Sequence, residues 1–131
     1  MKKTILVVDD FASVRNFVRE SLERKGYSTL GAADGNEALK ALSEKTNEVN
    51  VVLTDYNMPD CTGYELLLKI KADPSLANIP VIFLTTELNQ QRIEKAQQAG
   101  VFAWIKKPYR AEFFFDQIES AFRSTQNKNI L

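Results

Sequence analysis

The sequence predicts an α/β fold: an open parallel sheet with helices packed on its faces. Three observations carry that expectation. Short apolar runs alternate with amphipathic stretches along the chain, as parallel strands joined by crossover helices require. Four of these runs end in groups with chemistry: Ile5-Leu6-Val7-Val8 leads into Asp9-Asp10, residues 49–54 into Asp55, Val81-Ile82-Phe83-Leu84 into Thr85, and Phe102-Ala103-Trp104-Ile105 towards Lys107-Pro108. The chain has 131 residues, 44% hydrophobic and 26% charged, enough for one domain with a real core.

Each element has its own signal. After the first strand, Val14, Phe17, Val18, Ser21 and Leu22 fall on one helical face, and Gly26 marks the stop. Residues 27–33 read as a weaker second strand. Asp34-Gly35-Asn36 then turns the chain, with Asn36 as the expected N-cap of a helix over residues 37–44. Beyond Asp55, Met58-Pro59-Asp60 forms a loop, and Gly63 precedes a helix carrying Leu66, Leu67 and Ile70. Asp73-Pro74 closes that helix, because a residue before proline is biased out of the α region. Residues 89–99 form a weakly apolar helix stopped by Gly100. The last helix is expected over 110–124, with Phe114, Ile118, Ala121 and Phe122 towards the core and Phe113 and Phe115 flanking them. The domain is thus expected over residues 1–124, followed by a polar, fraying tail at 125–131.

Composition removes several function classes. Basic and acidic residues number 17 each, for a formal net charge of zero, so nucleic acid and anionic membranes lack an electrostatic handle. No apolar run is long enough to span a bilayer, and Met1-Lys2-Lys3 leads into a strand instead of a signal peptide. A lone Cys61 allows no intrachain disulfide and fits a reducing cytoplasm, the expected location. With no histidine and one cysteine, zinc sites and Ser-His or Cys-His catalysis are disfavoured. Carboxylates, hydroxyls, lysine and a metal remain.

In a parallel sheet the C-terminal strand ends share one edge, where ligands bind. Asp9, Asp10, Asp55, Thr85 and Lys107 would meet there. Taken singly, each has a bland role as a cap, a turn residue, a buried hydroxyl or a solvated lysine; their joint placement favours function. Close carboxylates repel one another unless a cation compensates, which points to a divalent metal. A dinucleotide-binding sheet would need a glycine-rich turn after the first strand. That turn here is Asp9-Asp10-Phe11-Ala12-Ser13, acidic and without glycine, which leaves a flavodoxin-like, doubly wound (βα)5 sheet.

These residues also carry a family resemblance, from Lys3 to about Arg123. The chain resembles the response-regulator receiver domains through Val7-Val8-Asp9-Asp10 with Arg15, Asp34-Gly35 before Glu37-Ala38-Leu39, and Asp55-x-x-Met58-Pro59 with Gly63. Pro80, Thr85, Gly100 and Lys107-Pro108 complete the set. Asp9-Asp10-Phe11 with Asn57 and Glu87 is similar to the single-domain chemotaxis regulators of that family. The resemblance implies the strand order 2-1-3-4-5. It implies Asp55 as phosphoacceptor from a histidine kinase, and Mg²⁺ held by Asp10, Asp55 and the Asn57 backbone carbonyl, with Asp9 acting through water. Lys107 and Thr85 would contact the phosphoryl group, Trp104 would be the switch aromatic, and Asn57, Thr86 and Glu87 would tune the lifetime. A monomeric switch with intrinsic autophosphorylation and autodephosphorylation is implied, and no conventional enzyme. Its target, a flagellar motor switch protein or related chemotaxis component, would dock on the fourth helix, fifth strand and fifth helix, with Ile93, Trp104 and Phe113 as contacts.

Several positions depart from the family pattern. Thr86 stands where a small residue is common, Cys61-Thr62 replaces Met-Asp, and Phe113-Phe114-Phe115 is unusual. Two rival functions are a phosphorelay carrier that passes its phosphoryl group to a histidine phosphotransfer protein, and an aspartate-nucleophile phosphohydrolase. The hydrolase of the haloacid dehalogenase type wants an aspartate two residues after the nucleophile, and Asn57 stands there.

Overall fold

Among the described residues five strands, β1 (Thr4–Val8), β2 (Ser28–Ala32), β3 (Val51–Thr54), β4 (Val81–Thr85) and β5 (Ala103–Lys106), alternate with five helices. The helices are α1 (Ala12–Arg24), α2 (Gly35–Glu44), α3 (Gly63–Ala72), α4 (Gln90–Gln98) and α5 (Ala111–Ile130). This computed structural model describes residues 3–45 and 47–130, with side chains through Thr125. Met1-Lys2, expected to lead into β1, and Leu131 of the expected tail lie outside the described residues. All strand pairs are parallel, in the order β2-β1-β3-β4-β5, so the doubly wound five-stranded sheet is as expected.

Strand position explains strand composition. β1, β3 and β4 are buried at every residue, since both faces of the sheet are covered and such strands read as continuous apolar runs. β2 is an edge strand of mostly half-buried residues, which is why its sequence signal is weaker. One face buries Leu6, Val8, Val52 and Phe83 beneath Ala38 and Leu42 of α2, Leu66, Leu67 and Ile70 of α3 and Ala96 of α4. The other buries Ile5, Val7, Leu53 and Ile82 beneath Val18 and Leu22 of α1 and Phe114, Ile118, Ala121 and Phe122 of α5.

Three local expectations are corrected. Asp34, not Asn36, caps α2: its extended backbone lets the carboxylate accept the Glu37 N–H at 2.8 Å, while Asn36 already lies in the first turn. Phe17 is 59% exposed, because α1 buries only Val18 and Leu22 and Phe17 projects about 100° from Val18. The chain does not leave the helix near Ser124: α5 continues to Ile130. No glycine or proline interrupts residues 124–130, and the Ser124 and Thr125 hydroxyls donate to the Ala121 carbonyl within the helix.

The loop after β3 is closed by tight packing. Thr62 and Glu65 form a reciprocal capping box at the start of α3, a signal present in Thr62-Gly-Tyr-Glu65. Gly63 donates its N–H to the Tyr56 carbonyl at 2.9 Å. A Cβ on Gly63 would lie 2.3 Å from the Asp55 carbonyl oxygen and 2.9 Å from Tyr56 Cα, so only glycine lets α3 begin against the residue that follows β3. Gly63→Ala should therefore cost about 2–3 kcal/mol in urea unfolding, since backbone cannot yield as a side chain does. A loss below about 0.5 kcal/mol would show that the loop has room.

Candidate functional site at the carboxyl edge of the sheet

Strand register brings the chemistry together. Val8 pairs with Ala32 of β2 and with Thr54 of β3, so Asp9 and Asp55 leave neighbouring strands at one level. The Asp55 N–H donates to the Val8 carbonyl at 3.0 Å and the Asp9 N–H to Ala32 at 3.1 Å, extending both ladders by one residue. Across the sheet Thr85 pairs with Lys106, and the Lys107 N–H donates to the Thr85 carbonyl at 2.9 Å. β1 and β3 meet where the strand order reverses, the topological switch point at which such sheets bind ligands.

Asp9, Asp10 and Asp55 each offer a carboxylate oxygen, and the three oxygens lie within 4.8 Å of one another. Asp9 is fixed from three sides. Its Oδ1 accepts the Phe11 N–H at 2.9 Å, its Oδ2 lies 3.6 Å from Lys107 Nζ, and its carbonyl accepts a 2.6 Å bond from Arg15 Nη1. Burial raises the Asp9 pKa; the Phe11 amide and Lys107 oppose the shift, and the charges of Asp55 and Asp10 add to it. Asp55 Oδ1 accepts the Tyr56 N–H at 2.7 Å and the Asn57 N–H at 3.4 Å, which orients the carboxylate.

The cluster is short of positive charge. Among the described residues three carboxylates face one ammonium, and Asp10 Oδ1 is buried without a hydrogen-bond partner. A buried carboxylate oxygen left unpaired is costly, so a cation is what would complete this set. All-oxygen donors suit Mg²⁺, which keeps part of its water shell. The residues fit the ion.

A polar rim stands beside the acidic cluster. The buried Thr85 hydroxyl accepts the Glu87 N–H at 3.1 Å. The Glu87 carboxylate takes bonds from the Leu88 and Asn89 amides, from Arg92 and from Asn57 Nδ2; the Asn89 amide most, then Arg92 and Asn57, hold its pKa below the usual range. Trp104 is half-buried: its Nε1–H donates to the Glu87 carbonyl at 3.3 Å, and its ring packs against Phe83 and Tyr56. Thr86 is exposed. Further out, Phe113 is 48% exposed and Ile93 half-buried, whereas Phe115 is half-buried beneath Lys25.

Some contributors escaped the sequence reading. Tyr56 and Arg92 carry no motif, and their pairing, with the guanidinium 5.7 Å from the ring centre, appears only in three dimensions. Arg15 was legible as a motif residue, yet its bond to the Asp9 carbonyl was not. Cys61, which reads as a loop substitution, is buried against Gly35, where a Cβ would meet its Sγ at 2.3 Å.

The chain belongs to the response-regulator receiver-domain family, whose model matches residues 5–119. It is 37% identical over 119 residues to the chemotaxis protein CheY of Pseudomonas aeruginosa, covering 90% of this chain and 94% of that one. It is 39% identical to chemotaxis protein CheY-3 of Vibrio cholerae, covering 90% of each. The solved structure of a response regulator receiver domain protein from Clostridium thermocellum superposes with a TM-score of 0.88 at 29% identity, covering 98% of this chain and 99% of that one. Membership implies phosphoacceptor signalling in two-component systems, where receivers act as switches and not as conventional enzymes. Receiver domains bind Mg²⁺ at an acidic pocket, and Asp9, Asp10 and Asp55 form such a pocket here. Among the described residues no helix is long and apolar enough to cross a membrane.

Like-charge repulsion in this pocket has a measurable consequence. Asp10→Asn should stabilise the metal-free protein by about 1 kcal/mol, or roughly 3–5 °C in Tm. Saturating Mg²⁺ should shrink that gain, since the ion stabilises only the intact cluster. Equal or lower stability of Asp10→Asn without metal would show that the carboxylates do not strain the fold.

Proposed function

We propose that this protein is a phosphorylation-dependent switch that accepts a phosphoryl group from a histidine kinase on Asp55. The unpartnered Asp10 oxygen inside a three-carboxylate cluster, with Lys107 and Thr85 on the same edge, is the observation that carries this reading. Asp10, Asp55 and the Asn57 backbone carbonyl would hold Mg²⁺, with Asp9 assisting through water. Held there, the ion would supply charge neutralisation for phosphoryl oxygens.

The chain's own groups supply the rest. With Asp55 Oδ1 anchored by two amides, the other oxygen attacks phosphorus. A P–O bond forms as the P–N bond to the kinase histidine breaks, and the imidazole leaves with the bonding pair. Such transfer demands chiefly alignment and charge stabilisation. Lys107, now on Asp9, can turn its ammonium donors to the phosphoryl group as a point charge. Intrinsic phosphorylation by small phosphodonors and intrinsic dephosphorylation follow from the same groups.

Thr85 couples the site to the surface. Its oxygen accepts the Glu87 N–H, so its own proton is available to a phosphoryl oxygen. Drawing Thr85 towards Asp55 displaces the Glu87 amide, and the Glu87 carbonyl is what holds Trp104. The ring then repacks, and the face of α4, β5 and α5 carrying Ile93, Trp104 and Phe113 changes affinity for its target. That target is proposed to be a flagellar motor switch protein, in keeping with the chemotaxis relatives.

Asp55→Asn tests the assignment. The variant should keep the fold by circular dichroism and lose base-labile labelling by acetyl phosphate with Mg²⁺, which the parent acquires. Stoichiometric labelling of Asp55→Asn would place the acceptor elsewhere.

A further inference from the structure

Arg92 joins three parts of the site rim, and no part of the phosphoacceptor chemistry above uses it. It sits in the first turn of α4, its own N–H held by the Asn89 cap at 3.1 Å. Its Nη1 donates to Glu87 Oε1 at 2.5 Å, and its guanidinium lies 5.7 Å from the centre of the ring of Tyr56, the residue after Asp55. The pair is five residues apart across a helix N-cap, so it is not the ordinary pairing of neighbours on a helix surface. An exposed ion pair contributes little by itself. Here the Glu87 side chain is only 14% exposed, and the arginine has an aromatic face as second anchor.

The arrangement fills the Glu87 carboxylate. Oε1 accepts from Arg92 and, at 3.5 Å, from Asn57 Nδ2; Oε2 accepts the N–H groups of Leu88 and Asn89, both at 3.1 Å. A carboxylate has about four acceptor positions, and all are engaged. Asn57 is two residues beyond Asp55 and its side-chain amide is turned to Glu87, so the same clamp engages both polar side chains beside the acceptor.

We propose that Arg92 is a positioning residue that keeps Glu87 and Asn57 bound to each other instead of to an attacking water, prolonging the phosphorylated state. The proposal rests on Asp55 as phosphoacceptor. Dephosphorylation requires a water oxygen to bond to phosphorus as the bond between phosphorus and the Asp55 oxygen breaks, releasing inorganic phosphate and the free carboxylate. One water proton moves to a phosphate oxygen or to solvent, and a free acceptor at the rim would orient that water. While Arg92 occupies Oε1, Glu87 cannot serve. Releasing the arginine frees Oε1 and lets Asn57 turn towards the site. Arg92 thus sets the lifetime through Glu87, without touching the reacting atoms.

The test loads the protein with acetyl phosphate and Mg²⁺, removes the donor, and follows release of inorganic phosphate. Arg92→Ala should accelerate release about fivefold, equivalent to about 1 kcal/mol of barrier. Arg92→Lys should fall between the two, because an ammonium restores the charge but not the guanidinium that reaches both Glu87 and the Tyr56 ring. In a Glu87→Ala background, Arg92→Ala should add nothing, an epistasis that a general loosening of α4 would not produce. An unchanged or slower rate in Arg92→Ala overturns the proposal, as does an equal acceleration in the absence of Glu87. If the parent protein takes no label, the phosphoacceptor reading fails and this inference falls with it. Labelled proteins with indistinguishable decay would sink the Arg92 role alone.

Discussion

Electrostatic repulsion among three carboxylates governs the working edge of this sheet. Their oxygens lie within 4.8 Å of one another, and one ammonium, 3.6 Å from Asp9, offsets a single charge. Hydrophobic burial on both faces of β1 and β3 holds the cluster in place despite that cost. The strands that carry the aspartates are buried at every residue, so the carboxylates cannot relax by moving the strands apart. Core stability is thereby converted into a standing demand for positive charge. A divalent ion would meet that demand, and in the proposed reaction the ion and Lys107 would neutralise the charge that a phosphoryl group brings.

Hydrogen bonds connect that edge to the surface. Thr85 is wholly buried, and its hydroxyl is tied to the Glu87 amide; the Glu87 carbonyl is tied to Trp104. A movement at Thr85 therefore reaches an aromatic ring through two hydrogen bonds. Packed interiors switch between discrete arrangements more readily than they deform, and that ring belongs to a cluster in which Phe83 meets Tyr56 and Trp104 edge-on and Tyr56 meets Trp104 at a tilt. Arg92 adds a second tie, from α4 across Glu87 to the loop after β3, and links the surface helix to the water-facing rim. In the proposed switch, timing and output would share the segment between Thr85 and Asn89.

Fold and cluster were legible because both are written in periodicity. Apolar runs of strand length bounded by turns located all five strands, and Asp9, Asp10, Asp55, Thr85 and Lys107 were readable because each sits at the end of one. The misread details depended on competition between neighbours. Two residues in the turn 34–36 could cap α2, and only backbone conformation decided for Asp34. The fate of Phe17 depended on how far α1 rolls onto the sheet, a tertiary choice invisible in its spacing. The polar residues after Ser124 suggested a tail, but nothing among them breaks a helix already propagating. Arg92 and Tyr56 were beyond reach, because a contact between a first-turn helix residue and a loop after another strand has no local signature.

The central claim is that the carboxylate edge is built around a cation, and backbone amide NMR during an Mg²⁺ titration tests it most directly. The account predicts saturable one-to-one shifts confined to Asp10, Phe11 and the loop from Asp55 to Asn57, and their loss in Asp10→Asn. Identical titrations for the two proteins, or shifts spread evenly over the acidic surface, would contradict it.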